Sequence, residues 1–224
     1  MKIAIDGPSG AGKSTIAKLL ANKLDFIYID TGAMYRAIGL CALSFGLNTK
    51  SDIDKIISKL PDIDIKISCG DVRQEVFLNN ENITDKIRTP EVSAAASDVA
   101  TIPEVRSKLV EMQRSLADGN DVIMDGRDIG TNVLPDAEIK IFLTASAESR
   151  AQRRYLELIE KGISTSYEEV LQDVNARDKN DSEREFNPLT IATDATVIDT
   201  TDINLEESVE LIEKFITQEM KVND

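Results

Sequence analysis

The sequence predicts an α/β protein: a central parallel sheet of five strands covered by helices, with a small antiparallel β insert and a helical lid. Three observations carry the sheet and the insert. Short apolar runs alternate with longer stretches of helical period, the pattern of βα units around a parallel sheet. Near residues 61–88 the pattern changes to alternation of apolar and polar residues, which marks half-buried strands. The first run, Lys2-Ile3-Ala4-Ile5-Asp6, leads directly into Gly7-Pro8-Ser9-Gly10-Ala11-Gly12-Lys13-Ser14, which fits the phosphate-binding loop G-x-x-x-x-G-K-[ST].

Taken in order, the loop is followed by a helix on Ile16, Leu19, Leu20 and Leu24. A chance match in a glycine-rich turn would lack this strand before and helix after. Phe26-Ile27-Tyr28-Ile29 is a second strand. Asp30-Thr31-Gly32 breaks it and opens a helix through about Leu47, striped by Met34, Ile38, Cys41, Ala42 and Phe45. A short helix follows from Asp52 to Leu60, on Ile53, Ile56, Ile57 and Leu60. Ile63, Ile65 and Ile67 alternate, Gly70-Asp71 turns the chain, Val76 and Leu78 continue the alternation, and Asn79 to Asn82 turn it again. Pro90 and Pro103 sit where helices start. The second of these helices carries Val105, Leu109, Met112 and Leu116 and stops at Gly119. Residues 121–125 form the third core strand, and Ala137, Ile139, Ile141 and Leu143 mark the fourth. A basic helix spans Ser146 to Gly162, and Ser166-Tyr167-Glu168-Glu169 is a capping box opening the next. Thr196 to Asp199 is the fifth core strand. Asn204 to Glu207 open a last helix on Leu205, Val209, Ile212 and Ile216.

The 224 residues suffice for one elaborated domain, 1–224, without repeats or low-complexity tracts. Hydrophobic residues make up 42% and charged residues 29%, as in ordinary globular proteins. No apolar run approaches the ~18 residues of a membrane span. The chain enters its first strand at once, which leaves no room for a signal peptide. Cys41 and Cys69 sit in apolar-periodic segments and read as buried thiols of a reducing cytoplasm. The expected setting is therefore cytoplasmic, with no membrane partner, and the expected state is a monomer. The net charge of −14 argues against a nucleic-acid polymer as partner, because such binders carry a basic footprint. Histidine is absent, which excludes an imidazole base and most zinc catalysis. Phosphoryl transfer survives, because it relies on positioning and charge neutralisation.

In that loop, backbone amides of residues 7–15 and the positive end of the following helix can hold phosphate. Lys13 can reach the β- and γ-phosphates of ATP. Ser14 can ligate Mg²⁺, and Asp125 at the end of the third core strand can support that ion from outside its direct ligands or, alternatively, cap a helix or turn. Thr15 is the other hydroxyl here, but motif spacing favours Ser14. An N-K-x-D string, the base-reading signature of guanine switches, occurs at Asn22-Lys23-Leu24-Asp25, far too early to reach a base. The arginines are more informative. Arg36 and Arg127 each follow a strand end, where ligands of open α/β sheets bind. Arg177, Asp181 and Arg184 stand at i, i+4, i+7 and share a face if the helix continues that far. Arg150, Arg153 and Arg154 lie within one turn of one another. Singly, each could be a surface ion pair. Together, on an acidic chain, they suggest a substrate with phosphate of its own.

The phosphate loop, then Asp30-Thr31-Gly32-Ala33-Met34-Tyr35-Arg36, Asp125-Gly126-Arg127-Asp128-Ile129-Gly130-Thr131, and Arg177-Asp178-x-x-Asp181-Ser182-x-Arg184 with Pro188-Leu189, resemble the bacterial cytidylate kinases over essentially the whole chain. The resemblance implies a P-loop kinase that moves the γ-phosphoryl of ATP, with Mg²⁺, to CMP or dCMP. It implies that the insert near 61–88 is a nucleotide-monophosphate-binding subdomain. Arg36, Arg127 and Arg177 would grip the CMP phosphate. Asp181 and Arg184 would contact the sugar, and Ser97, Arg106 and Asp128 would read cytosine. Arg150, Arg153 and Arg154 would belong to a lid near 150–170. Asn187 stands where alanine is common in relatives, and Ser14-Thr15 where many have Gly-Thr. Two other readings compete. One is a P-loop kinase for another small metabolite, such as shikimate or dephospho-coenzyme A. The other is a nucleotide switch that signals by conformation.

Overall fold

Ile3, Ala4 and Ile5 are fully buried, and the strand they form, β1 (Lys2–Asp6), has a strand on either side. The computed structural model describes residues 1–69 and 74–223. After β1 come α1 (Lys13–Leu24), β2 (Ile27–Asp30), α2 (Thr31–Ser44), α3 (Ile53–Lys59), β3 (Ile65–Cys69), β4 (Gln74–Leu78), β5 (Glu81–Asn82), α4 (Pro90–Val99) and α5 (Pro103–Ala117). They are followed by β6 (Val122–Gly126), a π-helical turn at Ile129–Val133, β7 (Ile139–Thr144), α6 (Ala147–Glu160), α7 (Tyr167–Glu183), β8 (Thr196–Asp199) and α8 (Leu205–Asn223). The larger sheet has the strand order β2-β6-β1-β7-β8, and β3, β4 and β5 form a separate sheet. The β1–β6, β1–β7 and β7–β8 pairs are parallel, and the smaller sheet is antiparallel, as the alternation predicted.

The chain divides into two compact units, residues 1–26 with 120–224, and residues 27–119. In the first, Asp6 lies opposite Gly126 on one side and Phe142 on the other, so β1 and β6 end level and β7 continues to Thr144. Their carboxyl ends release the phosphate loop, the Gly126-Arg127-Asp128 segment and the chain into α6. This is the edge where open parallel sheets place their ligands. In the second unit, Met34, Ile38, Ile56, Ile65, Val76, Ile87, Val92, Val105 and Leu109 form one buried cluster spanning α2 to α5 and the antiparallel sheet.

Local chemistry sets the helix ends. Asp30 caps α2 by accepting from the Ala33 N–H, and Thr89 caps α4 with Pro90 next to it. Ser166 and Glu169 form the capping box of α7 in full. Asn204 and Glu207 exchange a matching pair of bonds at the start of α8.

Some stripe residues face outward. Leu19 is exposed, and Ala17 and Ala21 join Ile16 and Leu20 on the buried face of α1. Phe45 lies past the last residue of α2, where the helical period no longer applies, and its ring sits under the Lys59 ammonium at 4.8 Å. Ile53 and Leu205 open α3 and α8 and are exposed, because no preceding turn packs over them. Cys41 is a buried thiol. The Gly70-Asp71 turn and the Cys69 side chain lie outside the described residues.

Candidate functional site

At Gly7 a Cβ would collide with the Leu143 carbonyl, and at Gly12 φ is +88°, so glycine is required at both ends of the loop. Among the described residues no side chain caps the start of α1, so its first amides remain available to an anion. Lys13 is buried and donates to the Pro8 carbonyl at 2.7 Å. Burial and then the nearby Arg127 charge push its pKa down to about 7, against the pull of Asp125, Asp181 and Asp6. Ser14 Oγ donates to Asp125 Oδ2 at 2.8 Å. A hydroxyl and a carboxylate held together at the phosphate loop are the hard oxygen donors that Mg²⁺ prefers.

Arg127 donates from Nε to Asp181 Oδ2 at 2.7 Å. Burial disfavours its charge, yet Asp181, Asp125 and Asp178 outweigh that and hold its pKa above the ordinary arginine range. Burial raises the Asp181 carboxyl, but Arg127, Arg184 and Lys13 bring it below the ordinary range. Arg177 donates to Ser9 Oγ at 3.4 Å, a long contact that ties α7 to the loop. Burial and the Arg127 charge lower its pKa, and Arg154 adds to that repulsion. Arg127 therefore lies close enough to both Lys13 and Arg177 to disfavour their charges.

Asp128 is buried and accepts from Arg184 Nη2 at 3.2 Å and from Asn132 Nδ2 at 2.9 Å. Arg184 sits just past the end of α7, not on it, and also donates to the Asn187 carbonyl. Asn187 has φ +48°, a left-handed conformation that asparagine tolerates better than alanine. Leu189 N–H then returns to the Asp181 carbonyl at 2.8 Å.

The three arginines of α6 point to three different places. Arg150 is buried and fully engaged: Nε donates to Ala145 O, Nη1 to Ser9 O and Asp178 Oδ1, and Nη2 to Asp178 Oδ2 at 2.6 Å. Arg153 binds the Thr200 carbonyl and hydroxyl. Arg154 forms a more exposed pair with Glu157 at 2.8 Å, and it is the one of the three whose charge reaches Arg177.

Within the 27–119 unit, Arg36 on α2 donates from Nη2 to Asp30 Oδ2 at 2.7 Å. Its Nε is buried without a hydrogen-bond partner among the described residues. Arg106 on α5 is buried, donates to the Ala100 carbonyl at 3.3 Å, and lies 5.8 Å from the Tyr35 ring. Ser97 is on α4 and half-buried.

Sequence reasoning assigned no site role to Asp178, Asp6, Asn132 or Gln74. Asp178 meets Arg150 across 28 residues, and no local spacing signals that. Asp6 did carry a signal, a carboxylate at the end of an apolar strand. Gln74 Oε1 accepts from the Asp30 N–H at 3.1 Å, behind the Arg36 pair.

A phosphate loop at the carboxyl edge of a parallel sheet, with a buried lysine and arginines gathered beside it, defines a P-loop kinase. The fold agrees with that of shikimate kinase from Bacteroides thetaiotaomicron, with TM-score 0.51, 11% identity, and 99% and 98% of the two chains covered. The family model for cytidylate kinase matches residues 3–218, and the chain belongs to that family. It is similar to proteins named cytidylate kinase. The one from Caldicellulosiruptor bescii is 56% identical over 212 residues, covering 95% of this chain and 93% of that one. The one from Lactiplantibacillus plantarum is 47% identical over 218 residues, covering 97% and 95%. Among the described residues no helix is long and apolar enough to cross a membrane.

Proposed function

We infer that the protein transfers the γ-phosphoryl group of ATP to CMP or dCMP, giving ADP and CDP or dCDP. One observation carries this reading beyond family membership. Lys13, Arg127 and Arg177 are held together although Arg127 lowers the pKa of both neighbours. Such an arrangement is complementary to two polyanions brought end to end. The loop amides and Lys13 hold the β- and γ-phosphates. Arg36, Arg127 and Arg177 hold the acceptor phosphate, Asp181 and Arg184 the sugar, and Ser97, Arg106 and Asp128 the base. The unpartnered Arg36 Nε supports a further anionic contact there.

The acceptor is already a phosphate oxyanion, so no general base is needed. The work is alignment in line and screening of repulsion. Ser14, backed by Asp125, would hold Mg²⁺, which when bound neutralises phosphate charge. In the same reading the insert near 61–88 is the monophosphate-binding subdomain and residues near 150–170 form the lid. Arg154 is the lid arginine that reaches the transferring group, and Arg150 and Arg153 anchor α6. In the same reading the protein works in the cytoplasm as a monomer.

A coupled assay for ADP decides the function: release is expected with CMP and dCMP and not with UMP, AMP or shikimate. Release that does not depend on any acceptor overturns the kinase reading. For base selection, cytosine offers an N4 amino donor where uracil has a carbonyl. Asp128→Asn is expected to narrow the CMP-over-UMP preference in kcat/KM by about tenfold or more. An unchanged preference removes Asp128 from base reading.

A further inference from the structure

Asp6 is a carboxylate that the phosphoryl-transfer scheme does not use. It is the last residue of β1, it is 5% exposed, and both of its oxygens are engaged. Oδ1 accepts from the Ile129 N–H at 2.8 Å and Oδ2 from the Gly130 N–H at 2.7 Å. These are the first two amides of the π-helical turn Ile129–Val133, which has no side-chain cap of its own. A helical start leaves such amides without partners, and Asp6 supplies them from another element.

The same residue is paired through its backbone register with Gly126 in β6. Arg127 and Asp128 therefore form a two-residue bridge whose two ends both return to Asp6. The Lys140 side chain packs close to the same turn, since a Cβ on Gly130 would come within 3.1 Å of Lys140 Cδ and 3.5 Å of Asp6 Oδ2. The turn thus has little freedom to slide.

We propose that Asp6 is a positioning residue for the acceptor nucleotide: its carboxylate fixes the turn that aims Arg127 at the phosphate and Asp128 at the base. This rests on the reading of Asp128 as the residue that recognises cytosine. Burial pushes the Asp6 pKa up to about 6 despite the two amide bonds, so the carboxylate is kept buried against a cost.

In Asp6→Asn the amide keeps one acceptor oxygen and sets an N–H donor against the other backbone N–H. The turn must shift to relieve the clash. The expected result is a CMP-over-UMP ratio of kcat/KM reduced about tenfold, with KM for CMP rising more than KM for ATP. A purely structural role would lower the active fraction, scale both acceptors equally and leave the ratio intact; that outcome overturns the proposal. Asp128→Asn is run in parallel. If it narrows the ratio and Asp6→Asn does not, positioning fails while base reading stands. If neither changes the ratio, base reading fails and the proposal falls with it. Should Asp6→Asn not fold, the unaltered protein gives the answer. The amide NMR signals of Ile129 and Gly130 are expected to move on saturation with CMP, and stationary signals overturn the proposal.

Discussion

Lys13→Met is expected to lose at least ~10³ of kcat while its ligand-free form melts at a higher temperature than the parent. The loss follows, in the proposed reading, from removing the ammonium that holds the β- and γ-phosphates. The gain in stability follows from the same burial. The Lys13 pKa is about 7 in the folded chain against an ordinary 10.5, so the folded state binds fewer protons than the unfolded state between those values. Stability of the parent therefore rises with pH across that window. The destabilising contribution of the charged lysine is full below pH 7 and gone above pH 10.5. The difference in melting temperature should be greatest at pH 6–7 and shrink toward pH 10, at roughly 2–4 °C per kcal/mol for a chain of this size. ATP should raise the melting temperature of the parent and leave the variant little changed. Equal melting curves at neutral pH would mean that the buried ammonium is not strained.

Arg150→Met is expected to act in the opposite sense, on stability first. The substitution strips a buried bidentate partner from Asp178 and leaves the carbonyls of Ser9 and Ala145 without their donor. Breaking a buried pair from one side costs about 3–5 kcal/mol, and the 27% exposure of the Asp178 side chain brings that to roughly 2–3 kcal/mol. A drop in melting temperature of about 4–12 °C is the corresponding measurement. Arg154→Met breaks only a surface pair with Glu157 and should move the melting temperature by about 2 °C or less. Its effect should fall on kcat. If the two variants behaved alike, the distinction between anchor and lid arginine would be lost.

Much of this protein could be read in its sequence, and the reason is local. Gly10 and Gly12 supply the positive φ that the loop before Lys13 and Ser14 needs, a local requirement, although Gly7 also answers to the distant Leu143 carbonyl. Asp30, Thr89, Ser166 with Glu169, and Asn204 with Glu207 end or begin helices through bonds spanning three residues or fewer. Apolar strands alternating with apolar helices allow few sheets other than a parallel one. These features depend on chain distances of a turn or two, so the order of residues determines them.

What depended on folding was which charges meet. Arg150, Arg153 and Arg154 look equivalent in sequence, and the structure sends one into a buried clamp with Asp178, one to Thr200 and one to the surface near Arg177. Asp6 finds its two amide partners more than 120 residues away. No spacing rule reaches across such separations. The depressed Lys13 pKa is of the same kind, because it requires burial and an arginine delivered by another strand. Chain order was enough to locate the phosphate loop and the elements around it. Only the folded structure brings Arg127 beside Lys13 and Arg177, closes Arg150 onto Asp178 and sets the Asp6 carboxylate on the Ile129 and Gly130 amides. Electrostatic strain arises from distances in space, and chain order leaves those distances open.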